Sequence, residues 1–568
     1  MMNSCYFRCV VAFLAFFCWL SATKFAIASQ RVGAVEGYAD FDALRIQLED
    51  LNRSPFAELS VLGRTRENRE VYLLTIGRGR VDDRPAILVI GGLDATQLYG
   101  SELAVRVARQ LVQQAAEDSK VADLLERVTF YIIPRASPDA CEFFFIRPHE
   151  QRTTNTRPTD DDHDGRFDED PPNDLDGDGW ITAMRVEEPG GRYIPHPDDP
   201  RVMIVADPAK GERGRWTLYE EGSDLDGDGR INEDPVGGVA FDRNWTFNYP
   251  YFETGAGPYQ VSEPETQAVA DFAFGRRNIA VVFTFTTQDN LFHLPKSEAS
   301  GRQGRIKTQL LEADSGPLDR IGELYRELHG GTDSPTPPEG NGSVSDWAYF
   351  HYGRWSLASR AWWIPKSVPE DAGASSSDSR GRDDLRALAW FASQGIDGFV
   401  PWRSIEHPDF PGRRVQIGGF KPYLRTNPPL SELDGLDGKH VDFFRQLTDK
   451  FPRLRIPDIR TESLGGGIWR VKATVVNEGT LPTFPQMGEI SRQTQPVQIA
   501  IELPDGAALL TGYARRQLPR LAGNGGHVTE TFLIRFEPER VEGRIRLRAW
   551  APSVGSARRA FSLSNDSR

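Results

Sequence analysis

The stretch Ala86-Ile87-Leu88-Val89-Ile90-Gly91-Gly92-Leu93-Asp94-Ala95-Thr96-Gln97 decides the fold of this 568-residue chain. Its first five residues are all aliphatic, which is typical of a short strand that is buried on both faces. From Gly100 to Gln113 the apolar residues recur at helical spacing, so this segment is predicted to be an amphipathic helix. A buried strand that turns through two glycines into a helix is a repeating unit of α/β sheets.

The same alternation continues through most of the chain. Strand-like runs take turns with helix-like segments, and this order predicts an α/β domain over residues 38–423. The strand-like runs lie at 71–76, 86–90, 128–133, 279–285 and 355–363, and the helix-like segments lie at 41–51, 101–116, 263–274 and 384–393.

The pattern changes after residue 423. Residues 424–458 are proline-rich at both ends and contain one helix-like segment at 440–451, which is typical of a connector. Residues 459–565 alternate apolar and polar positions between Gly, Pro and Asn turns. This alternation predicts a small C-terminal β-sandwich.

The N-terminus and the cysteines indicate an exported protein. Residues 1–28 contain Arg8, an apolar run and Ala26-Ile27-Ala28, the arrangement of a secretory signal peptide, with an uncleaved anchor as the alternative. Three of the four cysteines lie in this segment, so cleavage would leave only Cys141 and no intrachain disulfide. No later run is long enough to span a bilayer. The net charge of -14 disfavours nucleic acid and anionic lipid as partners.

Several motifs resemble those of the zinc carboxypeptidase A-like family, in the family's order. After the strand-to-helix turn come Ile132-Ile133-Pro134-Arg135-Ala136-Ser137-Pro138-Asp139, then Phe241-Asp242-Arg243-Asn244-Trp245, then Ser262-Glu263-Pro264-Glu265-Thr266. The resemblance covers roughly residues 38–420 and implies a mixed central sheet flanked by helices. It also implies a catalytic zinc and carboxypeptidase activity, as in secreted bacterial members of the family.

The residues that the resemblance assigns to zinc are replaced. In the family the strand-to-helix turn carries His-x-x-Glu, whereas this chain has Asp94 and Gln97, and the third histidine aligns with Thr286. A catalytic zinc takes three protein ligands and leaves one position for water. Because an amide and a hydroxyl are weak donors to zinc, and one carboxylate cannot hold it alone, we expect no zinc at these positions.

The general base of the family is replaced as well. The register after Asp346-Trp347-Ala348-Tyr349 places Arg360 at the position of the family's glutamate, or Ala361 if the register slips by one residue. Neither side chain accepts a proton from water at neutral pH, so no catalytic residue is expected to be intact.

Two arginines match the family's substrate-binding residues. Arg157 resembles the arginine that polarises the substrate carbonyl, and Arg243 resembles the one that binds the terminal carboxylate. Asp242 precedes Arg243 where the family has asparagine. The three residues are therefore candidates for substrate binding, and the alternative is that Arg243 and Asp242 form an ion pair without a ligand.

An acidic insertion over residues 158–236 contains three similar loops. Each has aspartates at alternate positions before a glycine; the sets are Asp160, Asp162 and Asp164, then Asp174, Asp176 and Asp178, then Asp224, Asp226 and Asp228. This spacing resembles the first half of an EF-hand loop and predicts calcium, with a solvated acidic loop as the alternative. Loop position 12 lacks the EF-hand glutamate; the candidates to complete the shells are Glu169, Asp170, Glu233 and Asp234.

Three functions are compatible with these residues. The favoured hypothesis is a secreted, periplasmic or cell-surface pseudo-peptidase that binds calcium and recognises a peptide or peptidoglycan-type terminus without cleaving it. The second is an active hydrolase with a rearranged metal site that uses Asp94 and His293. The third is a calcium-stabilised structural or adhesive protein that binds through its β-sandwich. The sequence determines neither the ligand nor the oligomeric state.

Overall fold

The computed structural model describes residues 36–160, 165–298, 306–366, 380–537 and 543–563. The predicted signal peptide at 1–28 and two of the predicted calcium ligands, Asp162 and Asp164, lie outside these residues. In the part of the chain that is described, no helix is both long and apolar enough to cross a membrane.

A mixed six-stranded sheet forms the centre of the α/β domain. The strands up to residue 420 are β1 Ala57–Arg64, β2 Glu70–Ile76, β3 Ala86–Ile90, β4 Thr129–Ile133, β5 Ala183–Glu187, β6 Tyr193–Pro195, β7 Met203–Val205, β8 Trp216–Glu220, β9 Ile279–Phe285, β10 Ser297–Glu298, β11 Leu310–Leu311, β12 Trp355–Ser359, β13 Phe399–Ile405 and β14 Val415–Phe420. The order in the central sheet is β1-β2-β4-β3-β9-β12. β1, β2 and β4 pair antiparallel, and β4, β3, β9 and β12 pair parallel.

Helices cover both faces of this sheet. The α-helices of the described residues are α1 Phe41–Leu51, α2 Leu98–Glu117, α3 Ser119–Arg127, α4 Pro138–Glu142, α5 Pro264–Gly275, α6 Glu312–His329, α7 Val344–Phe350, α8 Arg382–Gln394, α9 Leu436–Asp449 and α10 Gln486–Ser491. All five residues of β3 are buried, as are all five of β4. One core contains apolar residues of α1, α2, α6 and α9, and the core on the other face contains those of α5 and α7. This arrangement confirms the predicted α/β class.

The Gly91-Gly92 turn lets α2 begin directly at the end of β3. A Cβ on Gly91 would lie 2.4 Å from the carbonyl oxygen of Gly100, well inside van der Waals contact. Gly92 has a φ of +59°, a left-handed conformation that favours glycine. The two glycines therefore allow the close approach that places the residues before α2 at the end of the sheet.

A second sheet joins the acidic insertion to a distant part of the chain. Its order is β13-β14-β5-β8-β6-β7, and all of its pairs are antiparallel. β5 to β8 lie between the second and third aspartate loops, whereas β13 and β14 follow α8. No local sequence pattern predicts this sheet, because two of its strands have three residues and β13 has only one buried position.

The segment predicted as a connector is part of the α/β core. Along α9, Phe443, Phe444 and Leu447 are fully buried in the core that also contains α2. The prediction of a connector over 424–458 is therefore wrong, because the apolar face of this helix completes the domain interior.

The C-terminal region is a β-sandwich. Its strands are β15 Leu454–Gly465, β16 Ile468–Asn477, β17 Gln498–Glu502, β18 Ala507–Leu509, β19 Arg515–Gln517, β20 Gly526–Phe536, β21 Ile545–Ala551 and β22 Gly555–Phe561. They form two four-stranded sheets, β15-β16-β20-β18 and β19-β17-β21-β22. The sandwich has its own apolar core and begins at Leu454, a few residues before the predicted boundary.

Candidate functional site

The first two zinc positions lie in the turn between β3 and α2. Asp94 caps the short helical turn Ala95–Gln97, because its Oδ1 accepts hydrogen bonds from the Thr96 N–H at 2.7 Å and from the Thr96 hydroxyl at 2.5 Å. Its Oδ2 accepts from Nε2 of Gln97 at 3.3 Å. Burial raises the pKa of Asp94 to about 6, against the effect of these hydrogen bonds.

The third zinc position lies at the end of β9. The hydroxyl of Thr286 donates to Oδ2 of Asp242 at 2.9 Å, and the Val344 N–H donates to Oδ1 of Asp242 at 2.8 Å. Burial raises the pKa of Asp242 to about 7; these two hydrogen bonds oppose the shift, and the charge of Asp94 adds to it. Asp94 and Asp242 are thus electrostatic neighbours in one cleft, with Gln97 and Thr286 bonded to them.

These residues do not fit a zinc ion. The three positions offer one carboxylate, one amide and one hydroxyl, and each is bonded to a neighbouring protein group. Among the residues that the structure describes, sets of three or more close metal-ligating side chains occur only in two of the aspartate loops.

The cleft opens into a cavity of about 700 Å³. Gln97 and Arg360 both line it. The structure thus brings the second zinc position and the general-base position of the resemblance into one cavity. β12 ends in a tight turn around Ala361, which is buried and has a φ of +60°. This left-handed conformation is strained for alanine, and it turns the chain immediately after Arg360.

The cavity is cationic although the whole chain is acidic. Five basic side chains and two acidic ones line it among the described residues; they are Arg360, Lys366, Arg382, Arg386 and Arg425, with Asp383 and Asp384. Arg386 and Arg425 are paired with the two aspartates at 2.9 and 2.7 Å. Arg360 forms no ion pair within 4.0 Å in the described part of the chain; its Nη2 donates to the Thr287 carbonyl oxygen at 3.5 Å, and its charge acts on the nearby buried Asp289, whose pKa it lowers against the effect of burial.

Tyr99 is a cavity residue that the sequence analysis missed. It is the second residue of α2, just before the start of the predicted helix, and it is 2 % exposed. Tyr99 lines the cavity, and its buried hydroxyl has no hydrogen-bond partner among the described residues. Burial raises its pKa, and the Arg360 guanidinium opposes this shift. In the sequence Tyr99 stands between the Gly91-Gly92 turn and the predicted helix, and no motif distinguishes it.

Arg157 belongs to a buried ion-pair network. Its Nη1 donates to Oε1 of Glu263 at 2.9 Å, while Arg66 and Asn155 donate to Oε2 of Glu263, each at 2.9 Å. Burial alone would raise the pKa of Glu263, but these hydrogen bonds and that of Ser262 outweigh it and hold the pKa below its usual value. Arg157 therefore holds the start of α5 in place and does not line the cavity.

Arg243 is paired with a different carboxylate from the one considered in the sequence analysis. Its Nη2 donates to Oε2 of Glu253 at 2.6 Å, and both side chains are exposed by more than a third. Asp242 instead bonds to Thr286 and Val344. The alternative of an Arg243–Asp242 pair is therefore wrong, because the two side chains have separate partners.

The remaining candidates outside the cleft have local roles. A ring nitrogen of His293 lies 3.0 Å from the carbonyl oxygen of Ser334, and His293 belongs to no metal-ligating set in the described residues. Cys141 is fully buried, and burial raises the pKa of its thiol. Neither arrangement favours a displaced metal site or a nucleophilic thiol.

The described residues of the three aspartate loops share one hydrogen bond. In each loop the first aspartate accepts a hydrogen bond from the N–H of the glycine five residues later, at 3.1 Å for Asp160, 2.8 Å for Asp174 and 2.9 Å for Asp224. In the second and third loops, oxygens of the three aspartates lie within 4.8 Å of one another. The second and third sets are thus brought together as predicted by their spacing, each around one small volume.

The first and third loops are joined by two of the residues proposed to complete their shells. Asp170 accepts from the Leu225 N–H at 2.7 Å and from the Asn232 N–H at 2.6 Å. Asp234 accepts in turn from the Asp168 N–H at 2.9 Å. Both carboxylates are buried, so they connect the loops and are directed away from solvent.

The mixed sheet, with its cleft at the strand-to-helix turn, defines a carboxypeptidase-type α/β fold. The family model described as zinc carboxypeptidase matches residues 47–175 and 215–361. Over this domain the chain is similar to the zinc carboxypeptidase A-like family. A domain family of unknown function matches residues 453–562, which coincide with the β-sandwich.

Individual relatives are distant. Carboxypeptidase B of Astacus astacus is 26% identical over 121 residues, 21% of this chain and 39% of that protein. Carboxypeptidase A4 of Mus musculus is 28% identical over 96 residues, 17% of this chain and 23% of that protein. The chain thus spans well under half the length of these curated relatives. The solved carboxypeptidase A from Helicoverpa armigera is 14% identical, with 63% of this chain and 71% of that chain covered and a TM-score of 0.35.

Proposed function

We propose that this protein is a carboxypeptidase-like protein that does not hydrolyse peptides and that binds a peptide or glycopeptide terminus in its cleft. The proposal rests on one observation: the side chains at the three zinc positions form hydrogen bonds within the protein. Asp94 caps a helical turn, Gln97 bonds to Asp94, and Thr286 bonds to Asp242. Since these groups bond to the protein and only one is a carboxylate, no zinc-dependent step is assigned to them.

The family's general-base position supports the same proposal. Arg360 remains charged at neutral pH and cannot accept a proton from water. Asp242 is the cleft residue whose pKa, about 7, suits a base. Both of its oxygens already accept hydrogen bonds from Val344 and Thr286, which leaves it poorly placed to activate water.

The test combines metal content with hydrolysis. The protein is stripped of metal, dialysed against zinc and measured by elemental analysis, and it is then incubated with a mixture of peptides from pH 5 to pH 9. We expect less than stoichiometric zinc and no loss of C-terminal residues by mass spectrometry. Stoichiometric zinc together with release of C-terminal residues would contradict the proposal.

We further propose that the aspartate loops bind calcium and that the protein is exported. The shared loop geometry and the converging oxygens of Asp174, Asp176 and Asp178 support calcium, which prefers several oxygen ligands. The arrangement of residues 1–28 supports export. Sequencing the N-terminus of protein purified from its natural source tests export, because cleavage would place the first residue near Ser29 or Gln30.

A further inference from the structure

The C-terminal β-sandwich is basic, although the whole chain is acidic. Residues 453–562 contain 16 Lys and Arg side chains and 10 Asp and Glu side chains, whereas the whole chain contains 67 and 81. The net charge of the sandwich is therefore opposite in sign to that of the rest of the protein. A local excess of this kind attracts anions to one part of a molecule that otherwise repels them.

Part of this positive charge lies on the outer face of the sheet β19-β17-β21-β22. Alternate residues of β17 and β21 are buried in the sandwich core, and they include Ile499, Ile501, Leu547 and Ala549. Because successive side chains of a strand point to opposite faces, the residues between them lie on the outer face. On β21 these outer residues are Arg546, Arg548 and Trp550.

Three arginines form one row across this outer face. Arg515 of β19 lies opposite Ala500 of β17, which in turn lies opposite Arg548 of β21. Arg548 lies opposite Arg558 of β22. Because neighbouring strands are about 4.8 Å apart, the row extends over roughly 14 Å. Within the described residues, none of the three arginines forms an ion pair within 4.0 Å.

The row contains a like-charge pair that its own sheet does not neutralise. Like charges directly opposite each other on neighbouring strands destabilise a sheet, as applies to Arg548 and Arg558. Nε of Arg548 is also buried without a hydrogen-bond partner in the described part of the chain. One row away the sheet has the usual solution, since Arg546 lies opposite Glu502 and 4.0 Å from its carboxylate. An anion bound across the arginine row would supply the missing negative charge.

Trp550, in the adjacent row, holds two of the arginines. The guanidinium carbons of Arg515 and Arg548 lie 5.1 and 4.7 Å from the centre of its ring. Arg515 also donates through Nε to Oε1 of Gln498. A guanidinium that stacks on an aromatic ring keeps N–H donors at its edge for a planar anion. Holding both groups beside one ring before a ligand arrives lowers the entropic cost of binding it.

The arrangement favours a linear acidic polymer that also carries hydroxyl groups. A single small anion cannot pair with arginines spread over roughly 14 Å, whereas linked anionic groups can pair with all three. Gln498 and Gln517 lie opposite each other beside the arginine row, and their amides can donate to and accept from hydroxyl groups. The ring of Trp550 already contacts two guanidinium groups, so it does not offer the open aromatic surface on which nucleobases stack.

We propose that the outer face of β19-β17-β21-β22 binds an acidic polysaccharide. Arg515, Arg548 and Arg558 pair with its carboxylates, and Gln498 and Gln517 bind its hydroxyl groups. The site shares no residue with the cleft of the α/β domain, and it does not depend on whether the protein hydrolyses peptides.

The test compares two forms of one oligosaccharide by isothermal titration calorimetry with the full chain. The first is an oligogalacturonate long enough to cross the four strands, and the second is the same oligomer with its carboxylates methyl-esterified. We expect the acid to bind at least about tenfold more tightly than the ester at low salt, because several weak ion pairs act together when the anions are linked. The difference should shrink as the salt concentration rises, because exposed charges are screened.

Variants assign the binding to this face. Arg548→Gln combined with Arg558→Gln should weaken binding of the acid about tenfold. Arg460→Gln combined with Arg470→Gln is the matched control, because it removes the same charge from β15 and β16 of the other sheet, and it should leave the affinity unchanged. Trp550→Leu keeps the net charge and should weaken binding about threefold, because two guanidinium groups lose the ring that holds them. A melting curve of each variant identifies any folding defect.

Four results would overturn the site. They are equal affinity for the acid and the ester, full affinity in the variant at 548 and 558, an equal loss of affinity in the control at 460 and 470, and tighter binding of an anion of another class at the same salt concentration. The probes for the last result are single-stranded oligothymidylate and phosphatidylglycerol vesicles. Hydrolysis of peptides by the same samples would contradict the proposed function instead, and it would leave this site standing.

Discussion

The cleft of the α/β domain and the acidic insertion use carboxylates in opposite ways. In the α/β domain the buried carboxylates Asp94 and Glu265 accept hydrogen bonds from adjacent protein groups, and neither belongs to a set of three converging metal-ligating side chains among the described residues. In the insertion the aspartates stand in sets whose oxygens lie within 4.8 Å of one another. The comparison teaches that a carboxylate indicates a metal only where several oxygens converge, and that a single buried one is a structural group.

Rebuilding the zinc positions should have the largest effect. The triple variant Asp94→His, Gln97→Glu, Thr286→His restores the family's donor set, and we expect its zinc affinity to rise by on the order of a thousandfold or more over the wild type. Competition with a zinc chelator measures it. The single variant Asp94→His is the matched control, because one ligand should not suffice. Equal zinc affinity in wild type and triple variant would remove the contrast between the two regions.

The pH dependence of unfolding tests whether the buried carboxyl of Glu265 has a raised pKa in the folded protein. It is 1 % exposed, and burial raises its pKa from 4.5 to about 7, although Asn155 donates to it at 3.0 Å. Because the folded state holds the proton more tightly, the contribution of Glu265 to stability is complete below pH 4.5 and is lost as the pH rises to about 7.

Replacing this carboxylate should therefore change the pH dependence of unfolding. Between pH 4.5 and pH 8, wild type should lose roughly 3 kcal/mol of unfolding free energy relative to Glu265→Gln. Urea unfolding at the two pH values measures the difference. Glu253→Gln, at an exposed position, serves as the control. A difference that does not change with pH would show that Glu265 is ionised in the folded protein.

Removal of calcium tests the aspartate loops of the acidic insertion. A chelator should lower the melting temperature by several degrees, since an ion present at a hundred times its Kd stabilises the native state by about 2.7 kcal/mol. Calorimetry measures the shift, which Asp174→Asn combined with Asp224→Asn should reduce. Asp123→Asn, an exposed residue of α3, is the control. If the chelator does not change the melting temperature of the wild type, the loops hold no ion.

The smallest effect on calcium binding is expected from Arg403, which lies beside the second aspartate loop. Its Nη2 lies 2.7 Å from Oδ2 of Asp176 and 3.2 Å from Oδ2 of Asp178, so it competes with a cation for these oxygens. Arg403→Gln should tighten calcium binding by this loop about fivefold, the effect of roughly 1 kcal/mol. The measurement uses a background with Asp160→Asn and Asp224→Asn, so that only this loop responds. Arg230→Gln is the control, and weaker binding in Arg403→Gln would show that the arginine orders the site.

The sequence predicted the central fold because its signals are local. The aliphatic run of β3 and the apolar periodicity of α2 are complete within their own segments. β13 has only one buried residue and pairs with β14 in a sheet shared with the insertion, so no local pattern indicates it. For α9 the helix was predictable, but an apolar face does not reveal which surface it covers.

The same limit applies to the cleft. The spacing of Asp94 and Gln97 places them in one turn, and the structure shows the hydrogen bond between them. Glu253 lies ten residues from Arg243 in an irregular segment, where neither periodicity nor spacing predicts their ion pair. Tyr99 could not be identified because its unpartnered hydroxyl is a property of the packed interior.

The position of α9 determines where this protein can be divided. A chain shortened at residue 435 would lose Phe443 and Phe444 and would leave α2 with a bare apolar surface in water, so we expect it to aggregate. A chain that keeps residues through 452 retains this helix but loses the sandwich strands, the first of which begins at Leu454, together with α10, whose Met487 packs in the same core and whose backbone bonds to Asp314. The first sandwich strand therefore begins a few residues after Asp449, not at the proline-rich stretch that precedes the helix, and the chain returns to the α/β core at α10, so the α/β domain needs residues from both sides of this point.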